Sequence, residues 1–202
     1  MNYFLSALCL FVLHETFAAE KIPAEDHALV KAVMDQSYIP VSLAGSVAVP
    51  FATAIFLFQQ DNMLDRVQLE YGRLLPEGEK PEFVVQQEST NRWSYVNRKN
   101  QESVITEVYR NLANQNTAEL LYHTTGKRFF GDFEALTHVT LRREENNETR
   151  FTLRVYAYPK VAVSRFLARH LGLVERYFAD KTDELTALTV NICHHIINES
   201  EP

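Results

Sequence analysis

The stretch VSLAGSVAVPFATAIFLF, residues 41–58, runs for eighteen positions without a charge. Length alone makes it a borderline membrane span. Pro50 sits near its middle, with Gly45, Ser42, Ser46 and Thr53 around it, and no basic cluster flanks either end, as a membrane helix would be expected to show. The better reading divides it at the proline. Ser42 to Val49 then forms a strand, and Phe51 to Gln60 a short helix. Pro50 stands at the helix start, where a missing N–H costs little.

Downstream of this stretch, Asp61 to Leu69 reads as a further helical turn or two, ended by Gly72 and the loop from Pro76 to Pro81. From Glu82 onward alternation and β-forming residues take over, and six strands are predicted: Phe83–Glu88, Trp93–Asn97, Ser103–Asn111, Ala118–Thr124, Gly131–Arg143 and Thr149–Tyr158. The polar run Glu144 to Glu148 makes a hairpin connection between the last two. In the final strand Phe151, Leu153, Val155 and Ala157 share one face, and Arg150, Thr152, Arg154 and Tyr156 the other. The preceding strand matches, with Phe133, Ala135, Val139 and Leu141 against Glu134, His138 and Arg142. Such patterning predicts an antiparallel sheet with one face buried and one wet, the charges on the wet face pairing across strands.

After Pro159 the period becomes helical to about Ile197, with Gly172 tolerated inside the helix. Its apolar stripe runs through Val163, Phe166, Leu167, Leu171, Val174, Tyr177 and Phe178.

Upstream, Pro23 to Gln36 reads as a short amphipathic helix carrying Leu29, Val30, Val33 and Met34. It belongs to a lead-in over residues 20–40. Before it, YFLSALCLFVL at 3–13 is followed by small residues before Glu20. That arrangement fits a signal peptide over residues 1–19, and hence export to a periplasm or to the outside. No Lys or Arg precedes the apolar run, and a buried N-terminal helix is the competing reading.

Composition excludes several classes. Of 202 residues 46% are hydrophobic, and 20 basic against 26 acidic side chains give a net charge of −6. No basic run exceeds two residues, so a nucleic-acid footprint is missing. Catalytic signatures are missing too. There is no G-x-S-x-G and no phosphate-binding glycine loop. His194 and His195 are adjacent and diverge on a helix, and His138 and His170 have no partner at metal-ligand spacing, so no metal and no cofactor is expected. Asn147-Glu-Thr149 and Asn198-Glu-Ser200 match the N-glycosylation sequon.

The order of one strand, two short helices, about six further strands and a long terminal helix resembles the helix-grip fold of the START, Bet v 1 and polyketide-cyclase-like superfamily. The segment GSVAVPFATAIFLFQQDNMLDRV, Gly45 to Val67, carries the local likeness. In that superfamily a first strand commonly ends in Val-Pro before a short helix and an Asp-led turn. The resemblance implies an α+β helix-grip domain over residues 41–198, with a curved antiparallel sheet of about seven strands and a long C-terminal helix. It also implies a pocket for an apolar small molecule or lipid. Phe133, Ala135, Val139, Phe151, Leu153 and Val155 would line it from the sheet, and Phe166, His170 and Tyr177 from the helix. The bland reading makes the same residues the filling of a solid core. Three functional classes follow: a non-catalytic carrier or sensor, a cyclase- or hydratase-like enzyme, and an interaction module using the terminal helix.

Overall fold

The computed structural model describes residues 21–60, 63–79, 81, 83–97, 99–128, 131–172, 176, 190–191 and 193–195. The decisive stretch divides as its chemistry dictates. Strand β1 spans Ile39–Val47 and helix α2 spans Phe51–Gln59, with Pro50 capping the helix start in an extended conformation. No described helix is long and apolar enough to cross a membrane. Helix α1, Ala28–Met34, precedes β1, and α3, Met63–Leu74, follows α2. Gly72 lies inside α3 instead of ending it, correcting the shorter helix expected there.

Six strands complete the sheet: β2 Phe83–Ser89, β3 Arg92–Asn97, β4 Glu102–Asn111, β5 Thr117–Arg128, β6 Gly131–Arg143 and β7 Thr149–Pro159. All neighbours are antiparallel, in the order β1-β7-β6-β5-β4-β3-β2. The first strand thus closes against the last, and the two-helix insertion after β1 spans the far end. Between β6 and β7 the turn closes through Glu144 N–H donating to Glu148 O at 3.1 Å, with Asn147 in the left-handed region at φ 63°. The Thr149 hydroxyl then donates to Val49 O at 2.8 Å, tying the start of β7 to the strand–helix junction.

Register assigns the faces. Ile39, Val41, Leu43 and Val47 of β1 stand opposite Ala157, Val155, Leu153 and Thr149 of β7. The latter continue onto Ala135, Thr137, Val139 and Arg143 of β6. This inner face carries two core clusters, one at each end. At one end Ile39, Val41, Phe133, Ala135, Val155 and Ala157 meet Ala168. At the other, Val47, Val49, Ala54, Leu57 and Cys193 adjoin a group of Phe51, Ile55, Ala118 and Leu141.

The opposite face is not wet, which corrects the one-sided sheet read from the sequence. Ile22, Val30 and Val33 pack on Leu121, Leu136 and Tyr156, with Tyr38, Tyr109 and Tyr158 around them. Alternation along β6 and β7 marked this face polar because Leu136 and Tyr156 are diluted by charged neighbours. The covering comes from residues distant in sequence. His138 and His123 are buried beneath it. The part bearing Arg142 and Arg150 stays exposed, as do Ser42 and Ser46 of β1 and Val84 and Val96 of β2 and β3, and the two cations stand directly opposite each other.

The final helix begins as expected. Helix α4 spans Ala162–Leu171, and Gly172 then adopts φ 59° at its C-cap, a conformation cheap for glycine. The single helix expected through Gly172 is therefore broken there. Helical hydrogen bonding resumes with Arg176 N–H donating to Gly172 O at 3.1 Å, and residues 190–191 and 193–195 are helical. The rest of the stretch to Ile197, like the expected signal segment, lies outside the described residues.

Candidate functional site

The inner sheet face between its two core ends is the candidate site. Leu43, Leu153, Thr137, Val139, Tyr122, Thr124, Ile105 and Tyr95 form a band across β1, β7, β6, β5, β4 and β3, and each is only partly buried. Leu120 beside them is fully buried. The band is apolar and aromatic, with threonine hydroxyls interspersed. Its two ends are closed by α4 through Ala168 and by α2 through Ala54, Ile55 and Leu57.

One polar group interrupts it. Arg110 makes a two-pronged contact with Glu107, Nε to Oε1 at 2.8 Å and Nη2 to Oε2 at 2.6 Å. Its Nη1 also donates to Phe58 O, at the end of α2, at 2.9 Å. Residues three apart on a regular strand face opposite ways. A β-bulge between Glu107 and Tyr109 adds one residue, so Glu107 stands opposite Tyr122 and Arg110 opposite Leu120, both on the inner face. Strict period-two reading of the sequence therefore missed the pair. Burial, and then the negative charge of Glu107, push the Tyr122 phenol above its ordinary range. It is a neutral hydroxyl at physiological pH, with no hydrogen bond of standard geometry.

The residues expected to line a pocket fall into four groups. Phe133, Ala135 and Val155 belong to the core end beneath α4, with Leu153 packed against them. Val139 and Phe151 pack at the α2 end; Leu153 and Val139, directly opposite each other, both belong to the half-open band. Phe166 does not face the sheet. Ala168 does, and two residues along a helix turn about 200°, which leaves Phe166 60% exposed. The His170 side chain and Tyr177 lie outside the described residues. On the outer face an open depression of about 430 Å³ is lined by Lys21 to Asp26, Tyr109 and Glu119, at the edge of the N-terminal layer. Among the described residues no group of histidine, cysteine and acidic side chains is arranged to hold a metal ion.

No protein-family model matches the chain, and no curated sequence is similar to it. Solved structures do resemble it. Ara h 8.0201 superposes with a TM-score of 0.52 at 11% identity, over 79% of this chain and 99% of that one. A conserved protein from Geobacillus kaustophilus gives 0.50 at 10% identity, over 80% and 97%. The likeness is one of fold. It agrees with the helix-grip arrangement, a seven-stranded antiparallel sheet with helices inserted after the first strand.

Proposed function

We propose that this chain is an exported, non-catalytic binding protein for an apolar small molecule or lipid, held between the inner face of the sheet and the C-terminal helix. The observation that carries the reading is the half-buried apolar band closed by core at both ends. A solid-cored sheet of this size fills such a band with side chains. Burying a ligand there gains about 25 cal/mol for each Å² of apolar surface removed from water.

Binding is favoured over catalysis by the state of the polar groups on that face. Both carboxylate oxygens of Glu107 are engaged by Arg110, and Tyr122 stays protonated. Export rests on the apolar run and small residues over 3–19. Cleavage after Ala19 would keep Ile22, which is buried in the outer layer, in the mature chain.

The test is native mass spectrometry of protein purified from a secreting host, followed by solvent extraction. The expected result is a chain beginning near Glu20 with one apolar molecule per protein. A displacement assay with the neutral probe N-phenyl-1-naphthylamine complements it, and Val139→Trp, which fills the band, should abolish probe uptake. Protein that is always empty and takes up no probe overturns the binding reading. A chain that keeps its first nineteen residues after passage through a secreting host overturns export.

A further inference from the structure

We propose that the N-terminal layer, residues 21–34, is an acid-released cover over the outer face of the sheet, held down by two uncharged histidines. The first is His27, whose ring Nδ1 caps α1 by accepting from Leu29 N–H at 3.2 Å. Serine and asparagine are more usual caps, and their acceptor oxygens do not titrate. An imidazolium carries a hydrogen on each nitrogen and only donates, so a protonated His27 leaves the Leu29 N–H without its cap. The acids beside it, Glu25 and Asp26, are occupied by Lys21 at 3.0 Å and Lys31 at 3.4 Å. A helix of seven residues has little stability of its own, so α1 depends on its cap and on its packing. That packing is the contact of Ile22, Val30 and Val33 with Leu121, Leu136 and Tyr156.

The second histidine lies under the layer. His123 of β5 stands directly opposite Leu136 and is buried with it. Its Nε2 has no hydrogen bond. Glu134 Oε2 is 3.9 Å away, beyond hydrogen-bond reach, and the other oxygen of that carboxylate is held by Lys160 at 2.7 Å. Burial disfavours the charged ring most; Lys160 and His27 add to this, and Glu134 opposes it. His138 is buried on the same face of β6, opposite Arg154 of β7. A proton on Nε2 of His123 therefore lacks an acceptor while the layer is closed, and gains water once it lifts. Lifting need not disturb the sheet, because the layer precedes β1 and contributes no strand. The lead-in is already loosely packed along the open depression between Lys21 to Asp26, Tyr109 and Glu119. Acid thus weakens the cap and the buried contact of one element together, and its release uncovers Leu121, Leu136 and Tyr156.

The experiment is amide hydrogen exchange of the purified protein at pH 7.5 and 5.5, each rate divided by that of an unprotected amide at the same pH. Closure is complete above the ordinary histidine value of 6.5 and weakens below it, each proton taken up on lifting contributing up to about tenfold per pH unit. Protection of α1 should therefore fall about tenfold or more at pH 5.5, while the amides of β1 and β7 change by less than about twofold. His27→Asn, an exposed position where asparagine caps without titrating, should shrink the loss and leave exchange at pH 7.5 unchanged. Adding His123→Leu should abolish it. Three results overturn the proposal: protection of α1 that does not depend on pH, a double variant that responds like the parent, or an equal loss in β1 and β7, which is global unfolding. If the double variant does not melt cooperatively, His27→Asn decides alone, and an undiminished loss in it overturns the proposal. None of these outcomes depends on whether the inner face holds a ligand.

Discussion

Removing part of Val33 tests the two-sided sheet most directly. Val33 is fully buried in the layer that α1 lays over Leu121, Leu136 and Tyr156. Val33→Ala deletes two methyl groups, about 1.6 kcal/mol of transfer free energy, and the unfilled space adds to this, for about 2 kcal/mol in all. Leu136→Ala beneath it should cost about 3 kcal/mol. Both changes open the same space, so the double variant should lose less than the sum, with a coupling of at least about 0.5 kcal/mol. Lys31→Ala, on the solvent side of the same helix, removes only a surface ion pair to Asp26 at 3.4 Å and should change stability by less than about 0.5 kcal/mol. Urea unfolding supplies all four values. If Val33→Ala costs no more than Lys31→Ala, α1 is not docked, and the sheet has the single buried face that alternation alone suggests.

Three further outcomes follow from buried groups. Burial holds the His123 imidazole below its ordinary value of 6.5, with Lys160 and His27 adding to the effect and Glu134 opposing it. The unfolded chain then binds the proton more tightly, so the stability from a neutral His123 is complete above pH 6.5 and declines as pH falls, at up to about 1.4 kcal/mol per unit. His123→Leu should flatten that acid limb in chemical denaturation, and an unchanged slope would assign it to other groups. A methyl carbon at Gly126 would overlap Ser103 Oγ and stand 2.6 Å from its Cβ, so Gly126→Ala should destabilise by about 1–3 kcal/mol. Adding Ser103→Gly should recover most of the loss, and a thermal melt that shows no recovery refutes the contact. Burial pushes the Cys193 thiol up to about 11. In a Cys9→Ser background it should react with a disulfide reagent only after denaturation, and prompt reaction in buffer would show that the terminal helix does not seal against α2.

The strands and the split at Pro50 were legible because each rests on local chemistry. A proline without an N–H starts a helix and cannot continue a central strand, and alternation in β6 and β7 fixes which residues share a face. Three features escaped because each depends on a residue or segment outside the local pattern. The bulge at Glu107 adds one residue to β4 and moves Arg110 to the inner face, a change no alternation count registers. Gly172 carries the same composition signal whether it sits inside a helix or ends one; its left-handed conformation at the C-cap decides. The covered outer face needed knowledge that α1 returns across β5, β6 and β7.

These corrections bear on how a ligand would be held. A sheet wet on one face flexes more readily than one packed on both. Here the outer layer braces the strands whose inner residues, Val139, Leu153 and Tyr122, form the half-open band. The brace is not uniform: it covers Leu121, Leu136 and Tyr156 and leaves Arg142 and Arg150 in solvent. Adaptation to ligands of different size is therefore expected at the α2 end of the band, where the outer face is open and Val139 and Phe151 pack against Phe51 and Ile55. At the α4 end both faces are filled and the strands are fixed. Hydrogen exchange should show this as slower amide exchange at Ala135 and Ala157 than at Leu141 and Phe151, although all four lie in the same pair of strands. Equal protection along β6 and β7 would mean that the outer layer does not stiffen the sheet, and the ligand's freedom would then have to come from the helices alone.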